Sequence, residues 1–237
     1  VLATKLDRDM QTGCFDVDRV ARSIEESLTR LGLDCVPLLH LHDPEHARDL
    51  NEVTRDGGAI DALFKLKEQG LVTAVGLAMG ALDIMFPILK AYPFDSLISH
   101  NRFTLLNRSA GPMFDYAQTQ RIAVFNAAPY AGGVLAKGSH DMPKITYQPA
   151  DAKQLKPIRV LEEICARHNI PLGAAALQFS LKESRVTSTI VGVSRPERID
   201  ETLEWAALKI SEAALVELAR LSYDLDDPEA NRLYKPG

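Results

Sequence analysis

A chain of 237 residues with 46% apolar and 25% charged side chains is long enough to bury a sizeable core, and its composition is neither that of a disordered chain nor that of a disulfide-dense scaffold. Its 27 Lys and Arg against 32 Asp and Glu give a formal charge of −5, with no basic block of the kind phosphate-backbone binding requires, so nucleic acid is not an expected partner. No apolar run approaches the ~18–20 residues of a membrane span, and no signal-peptide pattern opens the chain, so a membrane is not expected either and the reading is cytoplasmic.

The chain opens on Val1-Leu2-Ala3-Thr4-Lys5, which reads as a buried strand with no cap or turn before it, the pattern of a fold entered part-way. Val20, Ile24, Leu28 and Leu31 then recur at helical spacing behind Asp18 as the expected cap, with Gly32 as the stop. Val36 to Leu41 is the second strand. Ala59 to Lys67 predicts a helix ended by Gly70, and Val72 to Leu77 a third strand. Ile84, Ile88 and Leu89 continue the alternation, followed by a strand at Ser96 to Ser99, a short helix at Met113 to Ala117 and a strand at Ile122 to Phe125. An irregular stretch from Tyr130 to Asp151 has the length of a functional lid. Helical spacing returns over Leu155 to Arg167 and Ala174 to Leu181, the sixth strand is Thr187 to Val191, and Ser211 to Leu221 closes as an amphipathic helix before the polar segment opened by Asp226-Asp227-Pro228. Cys14, Cys35 and Cys165 are odd in number and far apart, which predicts free thiols rather than a disulfide framework or a metal site.

Strands alternating with helices build a parallel sheet, and no GxGxxG turn follows the first strand as an open dinucleotide-binding sheet would have it. The expected fold is therefore an α/β chain of the (β/α)₈ TIM-barrel type in one domain, 1–237. About six βα units are present, against ~8 in a complete barrel, so the first two are lacking and these strands are the third to the eighth.

In such a barrel, chemistry sits at the C-terminal ends of the strands. Those ends carry Lys5, His40 and His42, Ala78-Met79-Gly80, His100-Asn101, Asn126-Ala127 and Ser194-Arg195. Lys5, behind four apolar or small residues, is expected where water is scarce. It reads as a cation lowering the pKa of a neighbouring acid, as a Schiff-base amine, or as a snorkelling strand-end lysine. His40 and His42 share one face of their strand, and metal is not expected because no carboxylate on that face is foreseen nearby. Ser194-Arg195-Pro196-Glu197 reads as a capping box, and the helix end it marks, with Arg195 and Arg198, is a candidate phosphate site.

Together these segments resemble the aldo-keto reductase family. Ala3-Thr4-Lys5 is similar to the family's Thr-Lys strand, and Ile24-Glu25-Glu26-Ser27-Leu28 through Leu33-Asp34-Cys35-Val36 to His42 is similar to its helix and histidine-bearing strand. Gly70-Leu71-Val72-Thr73-Ala74-Val75-Gly76 looks like the approach to its cofactor strand, Phe103-Thr104-Leu105-Leu106-Asn107-Arg108 like its "YNLLNR" segment, and Arg195-Pro196-Glu197-Arg198-Ile199-Asp200-Glu201 like its "TPERIxE" helix. Arg102-Phe103-Thr104-Leu105-Leu106 and His42-Asp43-Pro44 look most like the sugar 1-dehydrogenase branch, with D-threo-aldose, L-fucose and L-galactose dehydrogenases and the related pyridoxal 4-dehydrogenase.

The resemblance implies an oxidoreductase using NADP or NAD, with a sugar or other small carbonyl compound as substrate and, for a sugar, oxidation at C1 to a lactone. Of the family's tetrad of Asp, Tyr, Lys and His it carries over Lys5 and His42, and it places the other two in earlier βα units that this chain does not contain. Lys5 is expected to lower the tyrosine's pKa and His42 to orient the substrate oxygen. The implied cofactor-binding residues are His100, where many relatives have Gln, Ala127, where many have a stacking Tyr, and Pro129, Ser194, Arg195, Arg198 and Glu201. Gly192 and Thr202 replace a basic residue and an adenine-binding Asn, while Arg198 remains for a 2′-phosphate. A cofactor-binding regulatory protein of the same fold and a barrel lyase using Lys5 are the alternatives.

Overall fold

In the computed structural model, which describes residues 1–230, short strands alternate with helices along the chain. They form two units: 1–98 with 119–123, and 99–118 with 124–230. Residues 231–237 of the expected domain lie outside the described residues.

The first unit is a parallel ladder. Strand β1 (Ala3–Leu6) pairs with β2 (Val36–His42), β2 with β3 (Val72–Ala78), and β3 with the start of β4 (Ser96–His100). Parallel neighbours need crossovers, supplied by α1 (Val17–Leu31), by α2 (Asn51–Thr54) and α3 (Ala59–Glu68), and by α4 (Leu82–Ala91). The body of β2 is buried from Leu38 to Leu41, as expected of a strand covered on both faces. Leu39, Leu41, Ile60, Leu63, Val75, Leu77, Met85 and Leu97 fill the core around it.

Helix α1 starts two residues earlier than the sequence reading has it. Its cap is Asp16, whose carboxylate accepts the Arg19 N–H at 2.8 Å, while Asp18 lies in the first turn, where a negative charge suits the helix dipole. Gly32 ends it as expected, at φ 64°, a left-handed conformation that glycine takes without a Cβ penalty. Val20 and Ile24 are buried, Leu28 is half-buried, and Leu31 is exposed.

The second unit holds most of α5 (Gly111–Gln120), most of β5 (Ala123–Ala127), α6 (Val134–Asp141), β6 (Lys144–Ile145), β7 (Gln148–Pro149), α7 (Lys156–Arg167), α8 (Leu172–Leu181), β8 (Ser188–Ile190), α9 (Glu197–Ala207) and α10 (Glu212–Ala219). Strands β5 and β8 pair in parallel, Phe125 opposite Ser188 and Ala127 opposite Ile190. Val134, Leu135, Ile158, Leu161, Ile164 and Leu177 form its core. The stretch from Tyr130 to Asp151, expected to be irregular, contains a 3₁₀ turn (Ala131–Gly133), α6 and the antiparallel pair β6–β7; Gly132 and Gly133 at positive φ turn the chain into α6, and Gly138 at positive φ kinks it. Helix α8 presents small residues, and Gly173 admits the Trp205 ring of α9 so closely that a Cβ there would lie 2.2 Å from Cζ3.

Other boundaries move by one to three residues. Strand β1 is Ala3–Leu6 rather than Val1–Lys5, β5 reaches Ala127 rather than Phe125, and β8 is shorter than Thr187 to Val191. Cys14, Cys35 and Cys165 are free thiols, as expected. Among the described residues no helix is long and apolar enough to cross a membrane.

Candidate active site

Parallel pairing of β1 with β2 sets Lys5 beside His40 in register, and the next turn of pleat brings His42 to the same ends. His40 and His42 share a face but not an environment. His40 is 1% exposed, its Nε2 3.1 Å from Ser96 Oγ, and the hydrogen bond passes over Gly76, where no side chain stands between them. Burial, then the charges of Lys5 and His42, hold its pKa down at about 4, so it is neutral near pH 7.

His42 sits at the strand's end, where the chain turns through Asp43 at φ 44°. Its Nε2 lies 3.2 Å from Lys5 Nζ and its Nδ1 2.5 Å from Asp7 Oδ1. Asp43 Oδ1 stands further off, 3.5 Å from Nε2. Burial raises the Asp7 pKa, but the hydrogen bond and charge of His42, with Lys5 and Arg8, outweigh it, and the carboxyl is held below its usual value.

Two expectations are corrected here. Lys5 is exposed rather than shielded from water, because β1 is an edge strand, paired among the described residues only with β2. A carboxylate does lie at the histidines: Asp7, missed in the sequence although it follows Lys5 by two residues and so projects to the same side. Among the described residues no group of three or more His, Cys, Asp or Glu is suited to a metal ion.

The second unit places the other candidates. At the end of β4, His100 Nε2 is 3.6 Å from Glu229, Asn101 donates to the same carboxylate, and Arg102 donates to Asp227 at 2.6 Å and to the His100 carbonyl at 3.1 Å. Arg102 and Glu229 side chains are only 3% and 8% exposed. Asn107 and Thr146 bind the carbonyls of Asp226 and Pro228, so the segment from Asp224 to Glu229 is strapped down by side chains along its length. Burial would raise the Glu229 pKa, but His100, Asn101 and Arg102 bring it down to about 2. Between this strap, the turn at Thr104 and the β6–β7 hairpin lies a cleft of about 610 Å³.

Ala127 is half-buried and Pro129 buried at the end of β5. Asn126 is fully buried, donating to the Phe103 carbonyl and Ser180 Oγ, which makes it an anchor of the strand end. The expected capping box at Ser194 does not form. Helix α9 begins at Glu197, its cap is Pro196 in helical conformation, and Ser194 and Arg195 are exposed, because proline fixes φ where the helix already begins. Arg198 is half-buried and 3.7 Å from Glu201. Beside them, burial raises the Tyr130 hydroxyl pKa to about 12, an effect the Arg198 charge opposes.

A sequence profile of the Aldo/keto reductase family matches residues 1–222. The chain belongs to the aldo/keto reductase family. It is 32% identical over 208 residues to the D-threo-aldose 1-dehydrogenase of Pseudomonas sp, 86% of this chain and 62% of that protein. It is 31% identical over 199 residues to the pyridoxal 4-dehydrogenase of Microbacterium luteolum, 81% of this chain and 58% of that one. With the L-galactose dehydrogenase of Arabidopsis thaliana it shares 29% identity over 227 residues, 94% of this chain and 66% of that one. The chain thus spans about three-fifths of the length of these relatives. Among solved structures, aldo-keto reductase AKR11C1 from Bacillus halodurans superposes with a TM-score of 0.74 at 20% identity, over 97% of this chain and 76% of that one. The expected fold class, six βα units of an aldo-keto reductase (β/α)₈ barrel, is met.

For this aldo/keto reductase chain, the first unit brings Lys5 and His42 into contact, with Asp7 as an unforeseen third member. The second unit gathers Arg198 and Glu201 near Tyr130, and engages His100 with the C-terminal strap. A general acid or base, a cation beside it and a carboxylate behind it can hold and orient a proton at the oxygen of a small substrate.

Proposed function

We propose that this chain is the larger part of an NAD(P)-dependent oxidoreductase that transfers hydride to or from a carbonyl carbon, and that its substrate is an aldose oxidised at C1 to a lactone. The observation that carries the reading is the 3.2 Å contact between Lys5 Nζ and His42 Nε2, the two residues the resemblance assigns to the reaction. The named sugar and pyridoxal dehydrogenases among the relatives support the substrate class. A cytoplasmic setting belongs to the same reading, supported by three thiols kept free.

The donor set at the start of α9 fits the phosphate end of a dinucleotide. Arg195 and Arg198 supply guanidiniums, Ser194 a hydroxyl, and an eleven-residue helix its N-terminal partial charge. Glu201, within 3.7 Å of Arg198, is placed to accept from a ribose or adenine group. His100, Ala127 and Pro129 would line the nicotinamide end. When bound, NADP or NAD supplies the hydride acceptor or donor.

In the oxidative direction the C1–H bond breaks with its electron pair leaving as hydride, and the C1 hydroxyl proton leaves to a base. Lys5 contributes a positive charge that stabilises the deprotonated form of an acid beside it, and His42 holds the substrate oxygen by a hydrogen bond. Loss of a positioned proton-handling group typically costs ~10²–10⁴-fold. The test is NAD(P)H formation from a panel of aldoses, aldehydes and alcohols by the natural full-length protein, with Lys5→Met and His42→Gln beside it. A fall of that order in both variants supports the reading. No turnover with any of the panel, or unchanged turnover in both variants, overturns it.

A further inference from the structure

We infer that Asp7 is a positioning residue for His42, fixing the tautomer that carries its proton on Nδ1 and leaves the Nε2 lone pair toward Lys5. The resemblance gave Asp7 no role. The catalytic consequence rests on the oxidoreductase reading above, whereas the tautomer does not.

The assignment follows from what each partner is able to do. A neutral imidazole has one donor and one acceptor nitrogen; a lysine ammonium only donates, and a carboxylate only accepts. Nε2, 3.2 Å from Lys5 Nζ, is therefore the acceptor, and Nδ1, 2.5 Å from Asp7 Oδ1, is the donor. A proton on Nε2 would aim a donor at a donor. Among the described residues Asp43 is the carboxylate that favours the opposite arrangement, and it loses on distance, 3.5 Å against 2.5 Å, at the outer limit of a hydrogen bond.

Asp7 is itself held on both sides of its backbone. Its N–H donates to Ser23 Oγ at 3.3 Å, and its carbonyl accepts from Arg19 Nε at 2.9 Å. Arg19 is fixed in turn by Glu26 at 3.2 Å, so α1 locks the residue whose side chain orients the histidine. The hydrogen bond from His42 and the charges of Lys5 and Arg8 hold the Asp7 carboxyl below its usual value against its burial. The result is a chain of directional bonds, carboxylate to imidazole to ammonium, in which each member has one role. With that tautomer set, a substrate hydroxyl that replaces the ammonium at Nε2 meets an acceptor, so the hydrogen bond by which His42 orients it runs in one direction.

The test reads the tautomer directly from the ¹⁵N shifts of the two ring nitrogens of His42 in this chain, assigned with His42→Gln. The expected wild-type spectrum shows Nδ1 protonated and Nε2 bare; Asp7→Ala loses that pattern and Asp43→Ala keeps it. In the full-length protein, Asp7→Ala lowers kcat by about 10- to 100-fold, the size of effect that follows when the carboxylate behind a metal-bound histidine is removed, with the KM for cofactor unchanged. A protonated Nε2 in the wild type, or a tautomer that survives Asp7→Ala, overturns the inference, as does an unchanged kcat beside a lost tautomer. The expected spectra in a protein with no NAD(P)-linked turnover leave Asp7 as the positioning residue and remove the oxidoreductase reading instead. Should Asp7→Ala not fold, the wild-type spectrum alone decides.

Discussion

Replacing Gly76 by alanine tests the packing beneath the Lys5–His42 pair at its most crowded point. Gly76 of β3 lies in register between His40 of β2 and Ser96 of β4, and an added Cβ would stand 2.3 Å from His40 Cδ2 and 2.3 Å from Ser96 Oγ. Neither neighbour has room to retreat, since His40 is 1% and Ser96 2% exposed. Over-packing a core typically costs about 1–3 kcal/mol, and breaking the 3.1 Å His40–Ser96 bond adds about 1 kcal/mol. Gly76→Ala should therefore lose about 2–4 kcal/mol, a large part of the ~5–15 kcal/mol that usually separates folded from unfolded. Equilibrium unfolding in urea reads this as a midpoint lowered by about 1 M at unchanged slope. Gly111→Ala is the control: nothing lies within 4 Å of its added Cβ, and a change within about 0.5 kcal/mol is expected. Ser96→Ala should recover part of the loss in the Gly76→Ala background, because it removes one of the two clashing atoms. A Gly76→Ala protein that unfolds at the wild-type midpoint would refute this account of the strand ends.

Acid should destabilise the fold in two steps. His40 is depressed to about 4 from 6.5, so its contribution is whole above pH 6.5 and fades by about 3 kcal/mol as pH falls to 4; His40→Gln should flatten that limb of a stability–pH curve. Glu229, at about 2 against 4.5, contributes a similar amount above pH 4.5 that is lost toward pH 2, and Glu229→Gln should remove this second limb. Arg198→Ala should weaken NADP more than NAD, since only NADP carries the 2′-phosphate a guanidinium would pair with; equal weakening by calorimetry would remove the phosphate role. Gly173→Ala should push the Trp205 ring off α8, shifting the emission of the chain's single tryptophan to the red and costing about 1–3 kcal/mol, less the gain of up to about 1 kcal/mol from a better helix former.

The order and type of the main elements were legible because each depends on spacing within about fifteen residues. Gly32 as a helix stop and the strand from Val36 are local decisions. The errors lie where two local signals compete. Asp16 and Asp18 both suit a helix start, and only the Arg19 N–H chooses between them. Pro196 and Ser194 both suit the start of α9, and the proline lies nearer to the first helical residue. Lys5 and His42 could be named, but not their contact, because it is made across paired strands 37 residues apart. Asp7 could have been found from its spacing of two from Lys5, just past the end of β1.

Two histidines at two strand ends show why the remainder of the site was not legible. His42 takes its carboxylate from the residue that follows the neighbouring strand, brought there by the pairing of β1 with β2. His100 takes Glu229 from 129 residues away, brought there by Arg102, Asn107 and Thr146 holding the segment before it. Nothing in the periodicity near either end announces that pairing, and the acidic run Asp224 to Glu229 reads by itself as a solvated tail. The burial of the Glu229 carboxylate at the end of that run reverses that sense: a carboxyl taken out of water keeps its charge only where donors converge on it, and those donors are His100, Asn101 and Arg102, consecutive residues that leave β4. A ligand that takes His100 Nε2 must therefore displace a charged partner, whereas one that approaches His42 Nε2 meets a lysine already exposed to water. The two ends thus differ in what binding must undo, and that difference arises from where in the chain each carboxylate originates.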